Sequence, residues 1–158
     1  MGQLNTNGAE QEQDTQKELL YVVNPRWYDD RKVSLAHLAR ARRCLECGES
    51  GYAMPAKRGS GKRAGGSRHI GAWKLEMTAI GDCCSKKTGY ITLQTSILEA
   101  IFRLLLQNDN QPSTAPELYD GISKWWAGLE YLRDLNLLAI RRLLALQGTY
   151  GVTAVSSR

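Results

Sequence analysis

Four cysteines in two close pairs constrain this 158-residue chain more than any other feature. Cys44 and Cys47 lie in the stretch Arg42-Arg43-Cys44-Leu45-Glu46-Cys47-Gly48, and Cys83 stands next to Cys84, with no other cysteine in the sequence. Tetrahedral zinc takes about four thiolate or imidazole ligands, and a C-x-x-C turn supplies two of them. Gly48 suits the tight, left-handed backbone of such a knuckle. The second pair is less regular, because successive side chains on a helix point about 100° apart. Two ligand sets follow. If the chain unwinds at Cys83, the ligands are Cys44, Cys47, Cys83 and Cys84. If one of the adjacent pair faces away, His69 is the natural fourth ligand beside three thiolates. Either set is closed, so the expected Zn2+ is structural and not catalytic. The competing readings are buried cysteines acting as small hydrophobes, a thiol-redox C-x-x-C, whose strand–helix setting is not evident here, and an iron–sulfur cluster.

The charge of the chain is uneven. Residues 1–20 carry one base and four acids, giving −3; residues 21–90 carry fourteen bases and six acids, giving +8; residues 91–158 carry six of each, giving 0. The basic character belongs to the cysteine-bearing part, and a concentrated positive patch favours polyanions such as nucleic acid. The first twenty residues are polar and acidic, with no apolar stretch behind a positive start, so a cytoplasmic location is expected. No run approaches the roughly 20 apolar residues of a bilayer span. In a reducing compartment, paired cysteines are more often metal ligands or redox centres than disulfides.

Taken in order, residues 1–18 form a Gln/Asn/Glu-rich stretch without hydrophobic period and are expected to be a disordered tail. The run from Leu19 to Val23 is apolar and β-prone and ends at Asn24-Pro25. Ser34 is an N-cap for a helix over Leu35 to about Arg43, which delivers the chain to Cys44. Residues 52–68 hold a glycine-rich basic run with no acid and read as a flexible loop. Ile70, Trp73, Met77, Ile80 and Cys84 recur at steps of three and four, which predicts an amphipathic helix leading to the second cysteine pair. Tyr90-Ile91-Thr92-Leu93 reads as extended.

Beyond it, Ser96-Ile97-Leu98-Glu99 has the capping-box pattern and opens a helix through about Gln107. Ser113 or Thr114 caps a second helix that has Pro116 in its first turn and ends near Trp126. Asn136 caps a third over Leu137 to about Leu146, before a short strand at Thr149-Tyr150-Gly151-Val152. Three helices and a β-prone tail have the order of a helix-turn-helix or winged-helix module. The expected fold is therefore mainly α with few short strands (α+β). It comprises a basic zinc-binding lobe over 19–89 and a helical, winged-helix-like lobe over 90–158.

Other chemistry finds little support. Gly59-Ser60-Gly61-Lys62 lacks the Ser or Thr after lysine that a phosphate loop needs for magnesium, because Arg63 stands there. His37 sits among Leu35, Ala36 and Leu38 and reads as an ordinary helix residue. No acid–base pair, catalytic triad or cofactor fingerprint emerges, and no enzymatic activity is expected. The candidate phosphate contacts are Arg40, Arg42, Arg43, Lys57, Arg58, Lys62, Arg63, Arg68 and Lys74. Tyr52 and Trp73 are candidate stacking residues for single-stranded nucleic acid.

Several stretches together carry a resemblance: Trp27-Tyr28, Arg43-Cys44-Leu45-Glu46-Cys47, Asp82-Cys83-Cys84-Ser85-Lys86, Ile97-Leu98-Glu99-Ala100-Ile101-Phe102-Arg103 and Tyr150-Gly151. In these the chain resembles a family of small uncharacterised bacterial proteins with paired cysteines and a C-terminal winged-helix-like region. The resemblance implies architecture and no activity. The expectation from the residues is a non-enzymatic, zinc-stabilised protein that binds nucleic acid or a nucleoprotein complex through its basic half. The alternatives are a protein–protein adaptor or dimerisation module, in which zinc only pins the fold, and a thiol-redox protein.

Overall fold

A computed structural model describes residues 18–49, 68–129, 135–146 and 148–155, of which 48–49 and 68–70 are described by their backbone alone. Asn24 ends the first strand, β1 (Leu20–Val23), and its side chain accepts from the Arg26 amide to start α1 (Pro25–Asp30), with Pro25 in the first turn where a missing N–H costs nothing. The Ser34 side chain then accepts from the His37 amide and opens α2 (Leu35–Arg40), and the short α3 (Leu45–Glu49) follows. The long α4 (Arg68–Asp82) runs into a single 3-10 turn at Cys84–Lys86.

Ser96 caps α5 (Ile97–Gln107) through the Glu99 amide. The two-residue strand β2 (Ser113–Thr114) leads directly into α6 (Ala115–Trp126), where Thr114 and Glu117 form a reciprocal capping box. Asn136 caps α7 (Leu137–Ala145), and β3 (Val152–Val155) closes the order. Among the described residues the protein is mainly helical with one small antiparallel sheet, as expected for an α+β chain.

The sheet has the order β2-β1-β3, with β1 antiparallel to both neighbours. Tyr21 faces Ser113 on one side and Ala154 on the other, and Val23 faces Val152. Asn110 extends the pairing where β2 is too short, since its side-chain amide donates to the Val23 carbonyl and accepts from the Val23 N–H at 2.8 and 2.7 Å. The core is centred on α5, which buries Ala100, Ile101, Phe102, Leu104, Leu105 and Leu106 and so is covered on most of its circumference. It packs on α4, α6 and β1, and α2 packs in turn against α4.

Four features depart from the sequence expectation. The helix predicted over Leu35–Arg43 ends at Arg40, and the chain turns before re-entering a helix at Leu45. Tyr90-Ile91-Thr92-Leu93 forms turns and not a strand. Tyr90 and Ile91 are buried and Leu93 half-buried with no strand partner among the described residues, and the segment is held by Tyr90 Oη donating to the Arg103 carbonyl and Trp126 Nε1 donating to the Thr92 carbonyl. The last strand begins at Val152 and not at Thr149, because Tyr150 and Gly151 take φ of 57° and 60°, left-handed values that no strand accommodates. Finally, β1 from the 19–89 segment lies between two strands of the 90–158 segment, and one hydrophobic cluster runs through both. The expected tail over 1–17 and the basic run from 52 to 67 lie outside the described residues.

Candidate metal centre

The end of α2 and the unwinding of α4 create the site. The chain breaks from helix after Arg40, so that the Cys44 amide, no longer engaged in a helix, donates to Cys84 Sγ at 3.1 Å. The first turn of α3 then carries Cys47 back over Cys44, and the Cys47 amide donates to the Cys44 sulfur. On the other side, α4 stops at Asp82, and Cys83 takes φ −124° and ψ −64°, which is outside the helical range. That single irregular residue turns two adjacent side chains toward one point, and Cys44 and Cys83 Sγ come to 3.7 Å.

All four sulfurs, from Cys44, Cys47, Cys83 and Cys84, lie within 4.8 Å of one another. With metal–sulfur bonds of about 2.3 Å, a tetrahedral ion needs an edge of about 3.8 Å between its sulfurs. The arrangement therefore fits a single tetrahedral ion, with Cys47 and Cys84 buried and Cys44 and Cys83 half-buried. All four are free thiols.

The cluster polarises its members unequally. The amide from Cys47 draws the Cys44 thiol down to about 7, whereas Cys83, donating to its neighbour Cys47, is held up at about 11. Burial pushes Cys47 and Cys84 above the usual thiol value. Four thiols so close cannot all ionise without a cation among them, and a divalent ion would supply that charge.

His69 does not complete this set. It stands in the first turn of α4 and Cys83 just beyond the last, fourteen residues apart, which is roughly 20 Å of helix rise. The three-thiolate alternative is thereby replaced by the all-cysteine one.

The arginines around the knuckle are engaged internally. Arg40 Nε and Nη2 donate to Glu76 Oε1 at 2.9 and 2.7 Å, and Arg43 Nη1 donates to Glu76 Oε2 at 3.2 Å. Arg43 also donates to the Cys47 carbonyl at 2.6 Å, which fixes the knuckle to α4. Arg42 makes a bidentate pair with Glu99, both bonds 2.9 Å, and Arg103 donates to the same carboxylate at 2.7 Å. The side chains of Arg42 and Arg43 are each only 14% exposed, so neither is presented to a polyanion; Arg40 remains 70% exposed despite its pair.

Lys74 is exposed, with Nζ 5.7 Å from the Trp73 ring centroid. Arg68 begins α4. Lys57, Arg58, Lys62, Arg63 and Tyr52 lie outside the described residues. Glu76 and Glu99 were missed as partners of these cations. A signal existed for the first: Glu76 shares the helix stripe of Trp73, Met77 and Ile80, and an acid in an apolar stripe requires a buried cation.

No family model matches this chain, and no curated protein or solved structure matches it either. No helix among the described residues is long and apolar enough to cross a membrane.

Proposed function

We propose that the protein is a non-enzymatic, zinc-stabilised cytoplasmic binding protein whose basic half contacts nucleic acid or a nucleoprotein complex. The observation that carries the proposal is the convergence of four cysteine sulfurs within 4.8 Å. Four protein ligands complete a tetrahedron and leave no position for a reacting water, so the ion holds structure and does no chemistry. Thiolate-only ligation favours zinc among the common divalent ions of a reducing compartment.

The partner follows from what the ion anchors. The run over 52–68, with Lys57, Arg58, Lys62, Arg63 and Arg68 and no acid, is inserted between the elements that carry the two cysteine pairs. A glycine-rich basic segment that joins α3 to the start of α4 is suited to following a phosphate backbone. The order α5, β2, α6, α7, β3 supports a winged-helix-like reading of the C-terminal part, in which β1 takes the middle position of the sheet. Membership of the paired-cysteine bacterial family belongs to the same proposal.

The test is a salt titration of oligonucleotide binding. Affinity is expected to fall steeply between 50 and 200 mM salt, and exchanging Lys57, Arg58, Lys62 and Arg63 for Gln should reduce the logarithmic slope by about 3. Binding that ignores salt, or no binding, overturns the polyanion reading. One observation favours the adaptor reading instead: Leu138 and Leu146, in and just after α7, are 56% and 69% exposed. In that case sedimentation shows self-association, or a protein partner, that Leu138→Asp abolishes.

A further inference from the structure

The corner between α1 and α2 and the side of α4 enclose a groove of about 280 Å³. It is lined by the buried Leu35, the half-buried indole of Trp73 and the exposed Asp29, Lys32, Val33 and Ser34. Ligand pockets for drug-sized molecules run from roughly 300 to 1,000 Å³. The groove has room for one flat heterocycle and is too small for a peptide helix.

The charges around it differ from those at the knuckle. Arg40, Arg42 and Arg43 all meet carboxylates, whereas Lys32 and Lys74 form no ion pair among the described residues. Lys32 is held in a left-handed conformation at φ 55°, with its amide bonded to the Asp29 carbonyl at 3.0 Å, and its side chain is exposed at the rim. Lys74, next along α4, holds its Nζ 5.7 Å from the indole centroid. An indole lining a one-ring cleft, with Lys32 at the same cleft and Lys74 beside the ring, suits an unstacked base with its adjoining phosphates. Asp29 is the one acid that lines the groove among the described residues, and a carboxylate there can accept from the exocyclic amine that every base except thymine and uracil carries.

We infer that this groove is a stacking site for one base of single-stranded nucleic acid, with Trp73 against the ring and Lys32 and Lys74 on the neighbouring phosphates. The inference rests on the nucleic-acid reading above and adds to it a strand preference and a second contact site. Duplex cannot use the site, because its bases are already stacked.

The experiment titrates the full zinc-loaded chain with oligo-dA, oligo-rA and a duplex of equal length, by anisotropy and by quenching of indole emission. Both single strands are expected to bind more tightly than the duplex, and the tighter of the two names the preferred sugar. Trp73→Leu, which keeps an apolar side chain but removes the ring face, should weaken single-strand binding about tenfold and leave duplex binding unchanged. Trp73→Phe retains a flat ring and should lose less than threefold, which separates stacking from packing. Lys32→Gln should lower the salt slope on single strands by about 0.7. Zinc-replete Trp73→Leu that binds single strands as the parent does overturns the inference, as does equal, salt-dependent binding of single strands and duplex. The second result leaves the general nucleic-acid reading standing. Absence of binding to every oligonucleotide defeats both.

Discussion

Two carboxylates, the buried Glu76 on α4 and the half-buried Glu99 on α5, hold the arginines around the knuckle. Glu76 is only 5% exposed and accepts from Arg40 and Arg43, so neutralising it leaves a buried guanidinium without its counter-charge. Glu76→Gln should therefore cost about 3 kcal/mol, read as a lower denaturant midpoint. Burial alone would raise the Glu99 carboxyl, but hydrogen bonds from Arg42 and Arg103 outweigh it and hold the group below the usual carboxylate value. A depressed carboxylate adds stability above its unfolded pKa of about 4.3, and that stability is lost as pH falls through the lower folded value. The stability gap between the parent and Glu99→Gln should consequently narrow as pH is lowered below about 4.3; a constant gap contradicts the assignment. Gly151 is equally constrained. It takes φ 60°, its carbonyl accepts from the Asn24 amide at 2.8 Å, and a Cβ there would lie 2.7 Å from Tyr28 Cε2. Gly151→Ala should cost about 2 kcal/mol by thermal or chemical melting, from backbone strain and the displaced ring.

At the level of elements, the legible signals were those with a local chemical cause. Ser34, Ser96, Thr114 and Asn136 each stand where a helix starts, and each side chain accepts the amide three residues on. Thr114→Ala should remove one side of its capping box and cost about 1 kcal/mol, seen as a small drop in melting temperature with the zinc content unchanged. The illegible elements owe their form to distant partners. Tyr90-Ile91 has strand-like composition, yet Arg103 Nη1 takes the Tyr90 carbonyl at 2.6 Å and no strand lies beside it among the described residues. Ser113–Thr114 has no strand signature and becomes β2 because β1 offers it an edge. The unwinding at Cys83 was legible only as a condition for four thiolate ligands, since nothing in Gly81-Asp82-Cys83 breaks a helix by itself.

For the whole molecule, the paired cysteines announced the metal centre, whereas the union of its two halves was not written in any local pattern. β1 crosses from the cysteine-bearing segment to lie between β2 and β3, and the Arg42–Glu99 pair joins α2's exit to α5. Such pairings span tens of residues and depend on the packed chain, so periodicity and capping say nothing of them. A metal held by the four cysteines would fasten α3, which precedes the basic run, to the far end of α4, the helix that follows the run. Removing it should loosen this corner, and the hydrogen bond from Arg43 to the Cys47 carbonyl should be among the first to open. The central claim is the four-cysteine ion, and metal analysis of the purified chain with native mass spectrometry tests it most directly. One zinc per chain is expected, lost in each of Cys44→Ser, Cys47→Ser, Cys83→Ser and Cys84→Ser and retained in His69→Ala. A parent chain without stoichiometric metal, or zinc that survives Cys83→Ser and Cys84→Ser alike, would contradict it.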